Sequence, residues 1–186
     1  TRDCEGIDYS EISVEKARKL NQCAIRDGRC AVCQGSVAQM DFADASFDAV
    51  TAFETVYFWQ DLPKCFQEVY RVLKPGGTFL ICNESNGDTN KDKKWTDIIG
   101  GMTIYKDTEL KAHLEQAGFN DIQIHKTKSW LCMTGENTIN TEKALLADGQ
   151  ILDIDGIEAE CFQAPGHTGW TNNFSFAFAH KNKLYL

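Results

Sequence analysis

The sequence lacks any apolar run that approaches the roughly 20 residues required by a membrane-spanning helix. It also lacks a charged and then apolar leader, so we expect no signal peptide. The first residue is threonine rather than methionine, which indicates a chain that begins inside a longer reading frame or after processing. From these absences we expect no membrane partner.

Positive charge is also scarce. The chain of 186 residues has a formal net charge of −8, with 19 lysines and arginines against 27 aspartates and glutamates. Phosphate backbones and anionic lipid surfaces repel such a chain unless a basic patch is segregated on its surface. A short lysine cluster lies within residues 88–97, but aspartates alternate with it. We therefore expect a solvated loop there and no nucleic-acid partner.

A second CxxC pair is missing. Cys30 and Cys33 have the CxxC spacing, yet a redox pair belongs at a helix start and a structural zinc site needs a second pair. Because this pair lies in a valine-containing run, we expect strand residues and no metal. The eight cysteines are scattered along the chain, which favours a reducing, cytoplasmic location.

Strand and helix patterns alternate over the first 135 residues. They predict strands at 4–8, 30–34, 47–53 and 78–83, helices at 13–27, 63–73 and 107–117, and an antiparallel hairpin from 121–126 and 129–134. Gly28 and Gly118 are expected to end the first and last helices, and residues 84–101 to form a long loop. This order predicts an α/β fold with a Rossmann-like, doubly wound mixed sheet.

The stretch EGIDYSEIS, residues 5–13, places Asp8 at the end of an apolar run and before a helix that Ser10 or Ser13 can cap. In open α/β nucleotide sites, an acidic residue in this position holds the two hydroxyls of a ribose. A glycine-rich turn normally lies about 20 residues upstream of it. The seven residues that precede Asp8 here do not form that turn.

Four stretches together resemble the class I S-adenosylmethionine-dependent methyltransferases. They are GIDYS (6–10), GSVAQMDFADASFDAV (35–50), VLKPGGTFLICNE (72–84) and ELKAHLEQAGFNDIQIH (109–125). Each stretch is weak by itself, whereas their order and spacing carry the resemblance, which covers roughly residues 1–135. This segment is predicted to be a truncated methyltransferase-like domain.

The resemblance implies a cofactor site for S-adenosylmethionine. Asp8 would accept hydrogen bonds from the ribose hydroxyls, and Tyr9 would lie against the adenine. Ser36 would accept from the adenine amino group, and Val37 would offer its backbone N–H and an apolar surface. The full predicted set is Asp8, Tyr9, Ser10, Ser36, Val37, Phe53 and Glu54.

The implied reaction is methyl transfer to a small-molecule acceptor. Tyr57 and Trp59, together with Glu54, are the candidates for lining the acceptor site, and no catalytic residue is assigned. The alternative interpretation of FETVYFWQ is a strand end with an aromatic cap over the core. Two other functions stay open: a non-catalytic fusion or fragment with a role in assembly, and a fragment of a metal-dependent hydrolase.

The family's first strand and its glycine-rich loop are not found before Asp8. That strand lies centrally in the family's sheet, so its absence would leave a gap between the strands at 4–8 and 47–53, and the sheet is predicted to be incomplete there. Unpaired backbone groups disfavour such a gap. We predict that a strand from outside residues 1–135 fills it. The tail's own strands, especially residues 150–154, are preferred over a strand of a second chain. The second choice would make the protein a homo-oligomer.

Residues 136–186 are predicted to be a β-rich tail, with a hairpin turn at Asp155-Gly156 and two strands around HKNK. The stretch that contains PGHT resembles the metallo-β-lactamase fold, in which His167 would be one metal ligand. The HxHxDH cluster of that fold is absent from the sequence, and one imidazole cannot hold a catalytic metal. We therefore expect a turn residue and no metal. A rival interpretation makes ILDIDG, residues 151–156, the missing first strand through circular permutation.

Overall fold

The computed structural model describes residues 4–138, 160–164, 174–178 and 183–185. The strands are β1 (Cys4–Asp8), β2 (Cys30–Gln34), β3 (Phe47–Phe53), β4 (Leu73–Asn83), β5 (Asn120–Thr127), β6 (Trp130–Glu136), β7 (Glu160–Ala164), β8 (Phe174–Phe178) and β9 (Lys183–Tyr185). The helices are α1 (Glu11–Leu20), α2 (Gln22–Arg26), α3 (Leu62–Val72), α4 (Asn90–Ile98) and α5 (Asp107–Ala117), and Val56–Phe58 form one 3-10 turn.

Seven strands form one sheet in the order β2-β1-β9-β3-β4-β6-β5. The first five strands in this order are parallel, and β6 and β5 are antiparallel to their neighbours. The predicted Rossmann-like, doubly wound mixed sheet is therefore confirmed. Its parallel strands end at one edge, which is where open α/β sheets bind ligands.

Two apolar clusters cover opposite faces of this sheet. Helices α3 and α5 pack on one face, where Val50 and Ala52 of β3 join the larger cluster. Helix α1 packs on the other face over β1 and β2, and Phe53 contacts the smaller cluster there. Because successive side chains of a strand point to opposite faces, Ala52 and Phe53 reach different clusters.

Several predicted boundaries are confirmed to within a residue or two. The strands at 4–8, 30–34 and 47–53 and the helix at 107–117 are observed as predicted. Gly118 follows α5 with a φ of 104°, a left-handed conformation that glycine adopts without a side-chain clash. Pro63 lies in the first turn of α3, where its missing N–H does no harm. The pair Cys30 and Cys33 lies in a strand, as expected.

The helix predicted at 13–27 is wrong as a single element. It begins earlier, at Glu11, and divides into α1 and α2 at Asn21. The side-chain amide of Asn21 donates to the carbonyl of Ala17 at 2.9 Å, as the Asn21 backbone N–H also does. Asparagine competes in this way with the helical ladder, so α1 ends there.

The loop predicted at 84–101 is also wrong, because it contains α4. Asp92, in the first turn, accepts a hydrogen bond from the Thr89 backbone N–H at 3.2 Å and is buried. This arrangement is half of a capping box and stabilises a helix start inside a polar sequence. The polar composition of the segment hid the helix.

Strand β4 starts at Leu73 and not at residue 78, so KPGG is part of the strand. Asn137, just after β6, donates its backbone N–H to Gly77 and its side-chain amide to Leu73, at 2.9 and 2.8 Å. Gly76 has a φ of 79°, which permits the irregular pairing. The KPGG turn is thus held within the sheet by a residue 60 positions later in the chain.

The central position of the sheet is occupied by β9. Lys183 and Tyr185 pair in parallel with Cys4 and Gly6 on one side, and with Ala49 and Thr51 on the other. The prediction that a strand from outside residues 1–135 lies between β1 and β3 is confirmed, and the sheet is not incomplete. The strand comes from the tail of the same chain, as preferred, but residues 183–185 occupy the position and not residues 150–154. Residues 150–154 lie outside the described residues.

The remaining tail strands, β7 and β8, pair antiparallel as a separate two-stranded sheet. Their backbones lie beside α1 and β3. The two strands predicted around HKNK correspond to β8 and β9. The predicted division of the chain near residue 135 stays a prediction. Strand β9 lies beyond that boundary in sequence but pairs inside the main sheet.

Candidate cofactor site

A cavity of about 650 Å³ opens at the carboxyl ends of β1 and β2. Its wall includes residues 7–10 from the end of β1 and 35–38 from the end of β2. Residues 58–61, before α3, and Gly100-Gly101, after α4, also line it. The cavity thus lies at the sheet edge where a doubly wound fold is expected to bind a ligand.

Asp8 is a partly buried carboxylate on this wall. Its Oδ1 accepts a hydrogen bond from the backbone N–H of Ser10 at 2.7 Å, which fixes the side chain at the strand end. Burial raises the pKa of Asp8 above its usual range, and the Ser10 bond opposes this rise. A carboxylate has more acceptor sites than this one bond uses, so Asp8 can also receive hydrogen bonds from a ligand.

Ser10 contributes by shaping the site. Its hydroxyl accepts from the backbone N–H of Ser13 at 3.3 Å and thereby caps α1. Of the two predicted capping residues, Ser10 is therefore the one used. Ser10 thus contacts both Asp8, through its backbone N–H, and the first turn of α1, through its hydroxyl. These two bonds hold the Asp8 carboxylate close to the start of the helix.

Tyr9, Ser36 and Val37 lie on the same wall. Tyr9 is 72% exposed, and its carbonyl accepts from the Gln34 side chain at 3.0 Å, which ties the ends of β1 and β2 together. The Ser36 hydroxyl accepts from the Ala38 backbone N–H at 3.2 Å, and Val37 packs against the larger apolar cluster. An exposed ring, a hydroxyl and an apolar surface are thus presented to one cavity.

Phe53 and Glu54 are not among the residues that line the cavity. Phe53 turns to the smaller apolar cluster on the α1 face. Glu54 lies on the far side of the strand end, where its carboxylate accepts a hydrogen bond from the Glu84 backbone N–H. The contact predicted between these two residues and the cofactor stays a prediction. In the structure, Phe53 packs against the smaller apolar cluster and Glu54 bonds to Glu84.

Glu54 is unusual in both conformation and charge. Its φ of 58° lies in the left-handed region, which non-glycine residues seldom adopt. Burial, aided by the nearby charges of Glu84 and Cys132, raises the pKa of Glu54 to about 7, against the opposing hydrogen bonds from the Glu84 N–H and Tyr57. A strained, perturbed carboxylate at a strand end is a feature typical of functional sites, although buried polar networks also produce it.

Tyr57 is buried, with 2% of its surface exposed, and it does not line the cavity. Its hydroxyl accepts from the Ser85 backbone N–H at 2.8 Å and donates to the Ser85 carbonyl at 3.2 Å. Burial raises the pKa of the Tyr57 hydroxyl above its usual value. We call Glu54, Tyr57, Glu84 and Ser85 the β3–β4 exit cluster, because these residues follow the ends of those two strands.

Trp59 belongs to both interpretations offered by the sequence. It lines the cavity, yet it is only 8% exposed. Its ring stacks on Phe79, with centroids 6.3 Å apart and planes 5° apart, and meets Phe66 edge-on at 5.9 Å. Trp59 is therefore a core aromatic with one side on the cavity.

Sequence reasoning missed part of the wall. Asp61 lines the cavity and also caps α3, since its Oδ1 accepts from the Lys64 backbone N–H at 3.3 Å. An aspartate just before Leu-Pro is a recognisable helix start and could have been found. Gly100 and Gly101 also line the cavity, but only the position of α4 brings them there.

Residues 2–81 match the sequence profile of a family described as a methyltransferase domain. The chain is 32% identical over 126 residues to cycloartenol-C-24-methyltransferase of Arabidopsis thaliana, which aligns 63% of this chain with 38% of that protein. It is 30% identical over 135 residues to sterol 24-C-methyltransferase of Clavispora lusitaniae, with 67% and 36% covered. The chain thus spans little more than a third of the length of these relatives.

Solved structures share the fold at low identity. Phosphoethanolamine N-methyltransferase 2 of Haemonchus contortus, in complex with S-adenosyl-L-methionine, superposes with a TM-score of 0.63 at 16% identity, covering 73% of this chain and 43% of that one. The cyclase SpnF gives 0.61 at 16% identity, covering 74% and 67%. The chain has the fold of the Rossmann-like methyltransferases, and the cyclase shows that this fold also supports other reactions.

The metallo-β-lactamase resemblance of the tail gains no support from these comparisons, and neither does the hydrolase interpretation. His167 and the Asp155-Gly156 turn lie outside the described residues. In the part of the chain that the structure describes, no three histidine, cysteine or carboxylate side chains are grouped to hold a metal. Among the described helices, none has the length and apolar character needed to cross a bilayer.

Proposed function

We propose that this chain is part of an S-adenosylmethionine-dependent methyltransferase and that its cavity receives the nucleoside end of that cofactor. The observation that supports this most is the position of Asp8, a partly buried carboxylate on the wall of a cavity at the ends of β1 and β2. The match of residues 2–81 to a methyltransferase domain adds a second, independent reason.

The wall residues fit this ligand in chemistry. Asp8 would accept from two adjacent ribose hydroxyls, and the exposed Tyr9 ring and the Val37 side chain would enclose the adenine. The Ser36 hydroxyl would complete the adenine contact. Phe53 and Glu54 would contribute only indirectly, by holding the end of β3.

When bound, the cofactor supplies a methyl group that its sulfonium already activates. The protein then has to align the acceptor with this methyl group and to keep water out. The side of the cavity formed by Phe58 and Trp59 is apolar and suits an apolar acceptor. Tyr57 would support this side through its bonds to Ser85, without touching the acceptor.

For the acceptor we propose a sterol-like small molecule. Support comes from the relatives, since both the plant and the yeast protein are named for methylation of a sterol at carbon 24. Nucleic acid stays an unexpected partner for a chain of charge −8. A cytoplasmic location and self-association stay predictions, although the two strand edges that suggested self-association are paired by β9 within one chain.

Calorimetry with S-adenosylhomocysteine tests the cofactor site. We expect the 186-residue chain to bind it and Asp8→Asn to weaken binding at least tenfold, about 1.4 kcal/mol, the scale of hydrogen bonds to a charged group. Asp48→Asn is the matched control, because Asp48 is an exposed carboxylate paired with Lys74 near the opposite end of β3. No binding by the unsubstituted chain would contradict the proposal, as would equal losses in the two variants.

The acceptor is tested separately by transfer of a labelled methyl group. The chain is incubated with S-adenosylmethionine carrying a labelled methyl, with cycloartenol as the acceptor and with a reaction lacking sterol as control. We expect label in the sterol fraction and its loss in Asp8→Asn. Cofactor binding without transfer would overturn the sterol acceptor and leave the cofactor site standing.

A further inference from the structure

Two cysteines face each other across the antiparallel strands β4 and β6. Cys82 and Cys132 are direct partners in the register of this pair. Their sulfur atoms are 2.9 Å apart, and both residues are half-buried. Both are thiols in the structure, and their separation of 50 positions in the sequence makes this a long-range contact of the fold.

The backbone geometry of this pair suits a disulfide. Directly opposed residues of an antiparallel pair have Cα atoms about 4.5–5.5 Å apart, which falls within the range of about 4.4–6.8 Å found for disulfides. The spacing of β4 and β6 is therefore compatible with a disulfide at this position. Partial exposure also gives a small reagent access to the sulfur atoms.

A second cysteine pair in the same sheet provides the contrast. Cys4 and Cys30 are partners in the parallel pair β1–β2, with sulfur atoms 3.7 Å apart. These two side chains are only 5% and 4% exposed. Because the pair is closed to solvent, it is expected to stay reduced, as structural buried cysteines do.

We propose that Cys82 and Cys132 form a reversible disulfide when the folded chain meets a small-molecule disulfide such as oxidised glutathione. One thiolate attacks a sulfur of the oxidant, breaks its S–S bond and releases one glutathione thiol. The second cysteine attacks the mixed disulfide, forms the protein S–S bond and releases the second glutathione. The protein loses two S–H hydrogens, and the oxidant is reduced to two thiols.

Cys132 is the expected attacking group. The hydrogen bond between the two sulfurs lowers the pKa of Cys132 to about 7, against the opposing effect of burial. A substantial fraction is therefore thiolate at neutral pH, and the thiolate is the nucleophile in thiol–disulfide exchange.

The pair lies next to the β3–β4 exit cluster. The backbone N–H of Glu54 donates to the carbonyl of Cys82 at 3.0 Å, so the modified strand directly supports Glu54. The charge of Cys132 is also one cause of the raised pKa of Glu54. Disulfide formation would remove that charge and thereby lower the pKa of Glu54. This effect on the β3–β4 exit cluster does not depend on the proposed methyl transfer.

Peptide mapping of the intact 186-residue chain tests the proposal. The reduced, folded protein is treated with oxidised glutathione, quenched by alkylation, digested with trypsin and analysed without reduction. Cys82 and Cys132 fall on different tryptic peptides. We expect these two peptides to be linked, with a mass lower by two hydrogens than their sum, and dithiothreitol to release them.

Rates and variants make the result specific. Because the fold aligns the two sulfurs, the link is expected to form at least about tenfold faster in folded than in urea-unfolded protein. Cys132→Ser should abolish it, and Cys30→Ser should leave it unchanged. An equal rate in unfolded protein, a link between Cys4 and Cys30 of similar rate, or two stable glutathione adducts in place of the link would overturn the proposal.

Discussion

Asp8 and Glu54 hold the same place in the fold but have different surroundings. Asp8 ends β1 and Glu54 directly follows β3, both at the carboxyl edge of the sheet, and burial raises the pKa of both. Asp8 lies on the wall of a cavity and is held by one backbone N–H. Glu54 does not line that cavity, and its carboxylate accepts a hydrogen bond from the Glu84 backbone N–H of the β3–β4 exit cluster.

This difference suggests that Asp8 serves ligand binding and that Glu54 affects the stability of the fold. A carboxylate beside a cavity keeps acceptor sites for a ligand, whereas one in a side-chain cluster accepts its hydrogen bonds from other groups of the protein. Substitutions on the cavity side should therefore change ligand affinity, and substitutions in the β3–β4 exit cluster should change the free energy of unfolding. Measurements of unfolding and of ligand affinity on variants of both groups of residues can contradict this distinction.

The largest effect on stability is expected from Glu54→Gln. In the unfolded chain Glu54 ionises near pH 4.5, whereas in the folded chain it keeps its proton up to about pH 7. The folded state binds more protons in this interval, so the contribution of Glu54 to stability falls as pH rises from 4.5 to 7 and stays low above 7. Glutamine removes the cost and keeps an acceptor for the Glu84 N–H.

We expect the variant to match the parent near pH 4.5 and to exceed it at pH 8.5 by on the order of 1–3 kcal/mol. Urea unfolding at a series of pH values measures this difference. Glu115→Gln is the control, since its carboxylate lies on the exposed surface of α5 beside Lys111. A difference between Glu54→Gln and the parent that does not vary with pH would contradict the assignment.

A loss of stability, in contrast to the gain in Glu54→Gln, is expected from Tyr57→Phe. Phenylalanine preserves the packing of the ring but leaves the buried Ser85 backbone N–H without its acceptor at 2.8 Å. Loss of one buried partner costs about 1–3 kcal/mol. Urea unfolding should show this loss, whereas the affinity for S-adenosylhomocysteine should stay within twofold.

Tyr9→Phe is the matched control on the other side of the comparison. Tyr9 is 72% exposed on the cavity wall, so removal of its hydroxyl should leave the unfolding free energy unchanged. If Tyr57→Phe weakened the ligand more than it destabilised the fold, Tyr57 would belong to the binding site and the distinction would fail.

The smallest effect is expected from Ser10→Ala. The substitution removes the acceptor of the Ser13 N–H and with it the cap of α1, which costs about 1 kcal/mol. The backbone N–H that holds Asp8 is unchanged, so ligand affinity should change little. Thermal unfolding and calorimetry on Ser10→Ala and Ser13→Ala measure the two effects, and Ser13→Ala should be nearly neutral. A tenfold loss of affinity in Ser10→Ala would show that the hydroxyl itself contacts the ligand.

Local patterns in the sequence were sufficient to predict the elements that carry the cavity wall. The strands at 4–8 and 30–34 were predicted correctly because strand periodicity is encoded within a few neighbouring residues. Five of the seven predicted cofactor residues line one cavity for the same reason, since they lie at or just after the ends of β1 and β2.

Three features were not predicted. Asn21 divides a helix by a local bond back to Ala17, and Gly100-Gly101 line the cavity just after α4, a helix that was not predicted. Phe53 and Glu54 point away from the cavity, since the face on which a side chain lies depends on what packs against the strand. No periodicity in the sequence reports these contacts.

The sequence by itself determined the class of sheet, the position of Asp8 at a strand end, and the need for a strand between β1 and β3. Only the tertiary structure decided that residues 183–185 supply that strand and that Cys82 meets Cys132. The sequence predicted a strand after HKNK, but the pairing of that strand joins parts of the chain that are far apart in sequence. Backbone hydrogen bonding requires that the position be filled, because buried unpaired N–H and C=O groups are costly, but it does not specify which segment fills it.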